Sequence, residues 1–486
     1  RLDTIKKANP NIVDEAASKV WMTFKPPIVK DTADDVRNQV YKSPLKKLLK
    51  NKSSEEEVTK RLEKIAKREK IVIGIPRLLN MYSHTPFFTA YFEALGIKPG
   101  NFVFSEFTSE EMYKAGAKRG SIDPCFPSKV AIPHIHNLVY VQNKKKKLDF
   151  IFAPIVDTMP SDLEYAQAHT ACPTITATIE AAKAAFTKEG DLFKESGLEY
   201  LCPFIQLNRE QLTARQLFGE FKDRLGLSEE ENRRAVKEGF KAFYKFYEDL
   251  KTKSKEVLTQ LEEENRVGIV LLGRPYHNDP GINHEILEEF QKLGYPVFFQ
   301  DALPTDDETL DKLFGDDVRS GLLRSPMDID DVWKNSYSEN TSRKVWAAKY
   351  TARHPNLVAL ELSSFKCGHD APIYTVVQEI VESSGTPYFS FKDIDENKPT
   401  GAIKIRIETI SYFLKRYRED MVTNKSKVMT IEEKLKEYEM KIRRQLELGE
   451  KLSKLSGDTS PLFPKPQREV EIIIPERFKK KEMTEA

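Results

Sequence analysis

Short runs of β-branched and aliphatic residues alternate with longer segments of helical spacing along most of the chain, and the alternation occurs twice. The first round opens on Ile71-Val72-Ile73-Gly74-Ile75-Pro76-Arg77, which reads as a buried parallel strand running into a loop. A helix over residues 85–95, a strand over 102–105 and a helix over 109–118 follow. Residues 128–142 have a helical pattern in which Pro133 must form a kink or sit in the first turn. A strand is predicted over 148–156, and a short strand running into a helix over 174–188. Residues 205–265 are charged and periodic, as expected of helices that connect two units.

The pattern then restarts. Val267 to Leu272 ends in Gly273-Arg274-Pro275, an echo of Gly74-Ile75-Pro76-Arg77. Helices over 283–293, 371–383 and 403–417 alternate with strands over 296–300, 357–362 and 387–391. Strand–helix alternation at this spacing predicts an α/β protein with two doubly wound, Rossmann- or flavodoxin-like domains. The expected boundaries are a helical lead-in over 1–70, a first α/β domain over 71–204, a helical connector over 205–265 and a second α/β domain over 266–420. A charged C-terminal helix and an extended tail fill 421–486.

The 486 residues exceed one compact core, in keeping with two domains. A net charge of +2 gives no electrostatic argument for nucleic acid or for a membrane surface as partner. No uninterrupted apolar stretch has the length of a spanning helix, and the N-terminus carries no signal-peptide pattern. The first residue is not Met, so the chain is expected to be a processed or excised piece of something longer. Four cysteines are too few for a secreted disulfide scaffold, and the cytoplasm is the expected compartment.

Three of those cysteines fall where strands meet loops. Cys125 lies in Asp123-Pro124-Cys125-Phe126-Pro127, Cys172 in Ala171-Cys172-Pro173 and Cys367 in Lys366-Cys367-Gly368-His369-Asp370. Doubly wound sheets gather such loops in one crevice, where ligands bind. Thiolates are the usual ligands of iron–sulfur clusters, which makes these three candidates for a shared site. Each alone is more readily read as a small buried hydrophobe, and no compact Cys-x-x-Cys spacing occurs. Cys202, in Leu201-Cys202-Pro203-Phe204, fits the packing reading best.

Arg77 at the end of the first strand could meet an anion or form a surface ion pair, and His369 could donate to a cluster sulfur or to substrate. His277 lies in a polar loop suited to binding, while His134 and His136, two apart, cannot share a helix face. No phosphate-binding Gly-rich loop follows either first strand, and no serine elbow is present. The sequence therefore offers no case for direct ATP or dinucleotide binding.

Longer motifs carry a family resemblance. Gly74-Ile75-Pro76-Arg77-Leu78-Leu79-Asn80-Met81-Tyr82, Gly120-Ser121-Ile122-Asp123-Pro124-Cys125-Phe126-Pro127-Ser128-Lys129, Gly273-Arg274-Pro275-Tyr276-His277-Asn278-Asp279-Pro280-Gly281, Trp333-Lys334-Asn335-Ser336 and Phe365-Lys366-Cys367-Gly368-His369-Asp370 resemble the activase-related proteins of the 2-hydroxyacyl-CoA dehydratase superfamily. That superfamily also holds benzoyl-CoA reductases and double-cubane cluster proteins. The resemblance implies a [4Fe–4S] cubane on three cysteines, single or joined to a second cubane by a bridging sulfide. It implies Cys125 as first ligand, Cys172 as middle ligand and Cys367 as last. It also implies an ATP-hydrolysing iron–sulfur activator, separate or fused, that delivers low-potential electrons. The substrate would be an acyl-CoA or another small molecule, and the subunit could pair as a homodimer. The alternative is a non-catalytic regulatory or scaffolding module of a larger activase. The fused ATPase domains of the family's large members are not visible in this sequence.

Overall fold

The computed structural model describes residues 2–42, 52–120, 125–364, 366–395 and 400–456. Two four-stranded parallel sheets dominate it. The first contains β1 (Ile73–Ile75), β2 (Phe102–Phe104), β3 (Phe150–Phe152) and β5 (Glu199–Leu201), in the order β2-β1-β3-β5. A two-stranded parallel sheet of β4 (Ile155–Thr158) and β6 (Phe204–Gln206) lies apart from it in pairing. The second large sheet contains β7 (Gly268–Leu272), β8 (Val297–Phe299), β9 (Leu357–Leu362) and β10 (Tyr388–Phe391), in the order β8-β7-β9-β10.

Both large sheets place their first strand inside, the second on one side and the third on the other. The fold is thus α/β with a repeated doubly wound design, as the sequence pattern predicts. Parallel neighbours need crossover connections, which helices supply here. Met81–Ala94 links β1 to β2, Ile286–Lys292 links β7 to β8, and Tyr374–Glu382 links β9 to β10. In both sheets the order reverses beside the first strand, so the crevice beyond β1 and β3 and that beyond β7 and β9 are where ligands are expected.

Both sheets belong to one compact unit, Arg1–Glu419; a second unit, Asp420–Ala486, is helical through Ser456. The lead-in is helical and docked. Asn11 caps the Ile12–Lys19 helix by accepting from the Val13 and Asp14 amides, and Ile12, Val13 and Ala16 are fully buried. The same segment bridges the edge of β8, where the Val297 amide donates to the Pro10 carbonyl. Further on, Arg68 and Glu231 form a fully buried pair at 2.6 Å that ties the lead-in to the 35-residue Glu229–Glu263 helix.

Several elements differ from the sequence reading. The strand expected over 148–156 is two strands, because Ala153-Pro154 interrupts it and Pro154 has no amide for the ladder. No strand precedes the helix after Cys172. Pro173 occupies its first turn and the β-branched Thr174, Ile175 and Thr176 are helical. The helix expected over 128–142 breaks at Val130, and Pro133 sits in the first turn of Ala131–Asn137, followed by a π-helical turn over Leu138–Gln142. The helices expected over 403–417 and 425–455 are one, Thr400–Ser456, and the tail expected to be extended lies outside the described residues beyond it. Among the described residues no helix is long and apolar enough to cross a membrane.

Gly116 fixes the packing of Glu110–Ala117 on Ala131–Asn137, since a Cβ there would lie 2.3 Å from the Pro133 Cα. That neighbour is backbone and cannot swing aside. Gly116→Ala should cost about 1–3 kcal/mol through overpacking, more than the helix-propensity gain of about 0.5–1 kcal/mol. A lower urea midpoint at unchanged slope would show it.

Candidate functional site

The three candidate cysteines lie on three segments, two pairs of which are tied by hydrogen bonds. Cys125 precedes the short Phe126–Lys129 helix, with its Sγ 3.3 Å from the Ser128 Oγ. Cys172 precedes Pro173–Thr187, and from that helix Thr178 donates to Ser128 Oγ at 3.0 Å. This joins the Cys125 and Cys172 segments. The strand-end residues before Cys172 join the Cys367 loop through a third segment. The Thr170 amide donates to the Tyr337 carbonyl at 2.8 Å and the Glu339 amide to the Thr170 carbonyl at 3.1 Å. Ser338 in turn lies 3.0 Å from His369 Nδ1, and the Tyr337 and His369 rings meet edge-on at 5.8 Å.

Tyr276 closes the third side. It is buried just beyond β7, within electrostatic reach of both the Cys367 and the Cys125 thiols. Burial raises its phenol well above the usual range; Arg274 opposes this, while the two thiols and Asp370 add to it.

Behind Cys367 stands a buried charge network. Asp370 Oδ1 accepts from Arg274 Nη2 at 2.6 Å, and its Oδ2 accepts from Lys344 Nζ at 2.8 Å and from Ser363 Oγ at 2.6 Å. Lys344 also donates to Glu361 Oε1 at 3.0 Å. The four charged side chains Arg274, Lys344, Asp370 and Glu361 are all 1% exposed or less. Burial alone would push the Asp370 carboxyl up, but Arg274 and Lys344 outweigh it and hold the group well below the usual carboxylate range. Burial pushes the Cys367 thiol up, against the pull of Arg274. The amides of Asp370 and Ala371 donate to the Cys367 carbonyl, so the network fixes the loop that presents the thiol.

The remaining candidates divide. His369 lies in this cluster, between Ser338 and Tyr337. Arg77 stacks instead on Trp21, Phe104 and Phe107, 4.1 Å from the last centroid, and burial lowers its pKa. Next to it Asp279 accepts from Tyr82 at 2.8 Å and from Thr108 at 2.7 Å, a link between the two halves of the unit. His277 is buried, accepts from the Arg274 amide through Nδ1 and is pushed down to about 3 by burial. His134 is enclosed between Ser105 and Thr108, whereas His136 stacks on Tyr140. Cys202 lies against Glu180 and Lys183 on the Pro173–Thr187 helix, and burial pushes its thiol up to about 11. Those positions are two to three turns beyond Cys172, or about 12–16 Å along the helix.

Among the described residues no three His, Cys, Asp or Glu side chains are grouped as ligands of one metal ion. A cubane differs from a single ion in spreading its thiolates over separate irons. The surroundings of Cys367 suit an anionic group of that kind. Arg274, which feels the Cys367 thiol, has Nε and Nη1 buried without a partner, and beside the cysteine Gly368 borders open space. Unpartnered buried donors are costly and call for an acceptor.

The fold is a doubly wound α/β protein in which buried cations stand behind Cys367. Residues 72–303 match the family model described as CoA enzyme activase uncharacterised domain, which relates this chain to the CoA enzyme activases. The matched span contains Cys125, Cys172, Arg274 and Tyr276 and ends before Cys367. A comparison with curated proteins gives no match.

Proposed function

We propose that this chain is an iron–sulfur redox protein of the 2-hydroxyacyl-CoA dehydratase superfamily, with Cys125, Cys172 and Cys367 as thiolate ligands of one [4Fe–4S] cluster. The observation that carries the reading is the pair of hydrogen-bonded ties among the three cysteine segments, through Thr178 and Ser128 and through Tyr337–Glu339 and His369, with Tyr276 feeling both the Cys125 and the Cys367 thiols. When bound, the cluster would supply one-electron transfer and, at the iron left without a thiolate, a Lewis acid.

The chain's own residues serve that chemistry electrostatically. Arg274 and Lys344 hold positive charge in a buried region behind Cys367, which favours bound thiolates over thiols. Asp370 and Glu361 balance those cations, so the site is poised near neutrality before further negative charge arrives. The electrons would come from an ATP-hydrolysing iron–sulfur activator, separate or fused, in the cytoplasm. The substrate would be an acyl-CoA or another small molecule, and two subunits could share a sulfide-bridged double cubane.

A second reading, compatible with the activase name of the matched domain, is that the chain is a non-catalytic regulatory or scaffolding module of a larger acyl-CoA dehydratase activase. Anaerobic purification followed by iron and acid-labile sulfide analysis, with EPR of the dithionite-reduced protein, separates the two. About four irons per chain with a reduced-cluster signal is expected. No iron after reconstitution would leave only the module.

A further inference from the structure

A second site lies in the same unit. A cavity of about 170 Å3 is lined by the Met81–Ala94 and Glu229–Glu263 helices, the loop after β4 and the start of the Glu339–Arg353 helix. His84 and Asn340 line it with side chains 2% and 4% exposed, and His84 Nδ1 and Asn340 Oδ1 are both buried without a partner. Phe243, Tyr244 and Tyr247 supply aromatic walls.

The charges around the cavity do not cancel. Three carboxylates, Asp162, Asp301 and Glu339, face two cations, Lys251 and Arg343. Both cations are already engaged. Arg343 donates to Asp162 and to Glu339, and Lys251 donates to Asp162 at 3.1 Å and to Thr305 at 3.0 Å. His84 is neutral, burial having pushed it down to about 3. Asp301 accepts from Gln300 Nε2 at 3.3 Å through one oxygen, and burial has pushed its carboxyl up to about 6 against the pull of Arg343.

We propose that this cavity binds a small organic monocation, a primary ammonium on an apolar body. A 150 Å3 cavity is known to hold benzene, so a ligand of about six to eight heavy atoms fits this one. An ammonium has three donors and no acceptor. Asp301, Asn340 Oδ1 and a neutral imidazole nitrogen of His84 accept hydrogen bonds, and the aromatic walls offer π faces to the cation. An anion would meet a surplus of carboxylates and two cations already spent. This site does not depend on the cluster, and its test does not read iron.

The test uses the full chain and three probes of one shape: cyclohexylammonium, cyclohexanol and cyclohexanecarboxylate, titrated by calorimetry at neutral pH. Cyclohexylammonium is expected to bind about tenfold or more tightly than cyclohexanol, and cyclohexanecarboxylate not at all. Asp301→Asn should weaken the ammonium by about tenfold. Tyr244→Leu, at a ring 58% exposed and so dispensable for folding, should weaken it severalfold. Equal or tighter binding of the carboxylate would overturn the proposal, as would no binding by any probe. Unchanged ammonium affinity in folded Asp301→Asn would also overturn it; should that variant fail to fold, unchanged affinity in Tyr244→Leu decides against it.

Discussion

Cys125→Ser, Cys172→Ser and Cys367→Ser are each expected to lose most of the iron that the anaerobically prepared chain carries, while Cys202→Ser keeps it. Serine preserves size and removes the thiolate, so the loss reports ligation rather than packing. The geometry sets the contrast. The Cys125 and Cys172 segments are joined by Ser128–Thr178, the Cys172 and Cys367 segments by Thr170, Tyr337–Glu339 and Ser338–His369, and Tyr276 feels both the Cys125 and the Cys367 thiols. Cys202 is tied elsewhere, to Glu180 and Lys183, where burial makes its thiol harder to ionise. Cys367→Ser is the most informative of the four, because Cys367 lies outside the span matched to the activase domain, 72–303. Iron and sulfide are measured per folded chain, with far-UV circular dichroism as the control. Full iron in Cys367→Ser would falsify the assignment, and full retention in all four would move the metal to other ligands.

The repeated α/β design was legible because parallel strands buried on both faces read as continuous apolar runs. β9, Leu357–Leu362, is six fully buried apolar or paired residues, and its bounds follow from the sequence alone. Elements carried by buried charge were not legible. The Glu339–Arg353 helix buries Arg343, Lys344 and Lys349, so it shows no apolar stripe to a reader of periodicity. Its charges are tolerated only because partners distant in sequence meet them. Lys344 reaches Glu361 and Asp370, and Lys349 reaches Asp331.

The same limit applies to the site. The strand-end argument selected Cys125, Cys172 and Cys367, but Cys125 lies between the Glu110–Ala117 and Phe126–Lys129 helices and not at the end of a strand. The pairing of Arg274 with Asp370, 96 residues apart, has no local signature. One signal did exist. Gly273-Arg274-Pro275 repeats the arginine that ends the first strand, and a charged residue directly beyond a fully buried strand needs a partner. Arg77 and Arg274 thus occupy matching places in the two halves with different fates, one caged by aromatic rings and one paired with Asp370.

That pairing makes Asp370→Asn the substitution expected to cost the most stability. The change keeps the shape of the side chain and removes its charge, leaving Arg274 buried without its counter-ion. Breaking a buried ion pair from one side typically costs about 3–5 kcal/mol, more than the pair itself adds over an apolar substitute. Lys344 retains Glu361, which keeps the effect below that of two orphaned cations. The pH dependence has a definite sign. The folded-state pKa of Asp370 is depressed, so its contribution is fully present above the ordinary aspartate value of about 3.9. It is lost as pH falls below that value toward the depressed one. Urea unfolding should therefore show a wide gap between wild type and variant at pH 7 that narrows below about pH 4. A gap under about 1 kcal/mol at pH 7 would mean that water or local rearrangement already compensates Arg274. The Cys367 loop is held at both ends beside this carboxylate, which accepts from Ser363 just before it, while the Cys367 carbonyl accepts from the Asp370 and Ala371 amides. Iron content should accordingly fall in Asp370→Asn under conditions where the chain is still folded, which separates a loosened ligand loop from global unfolding.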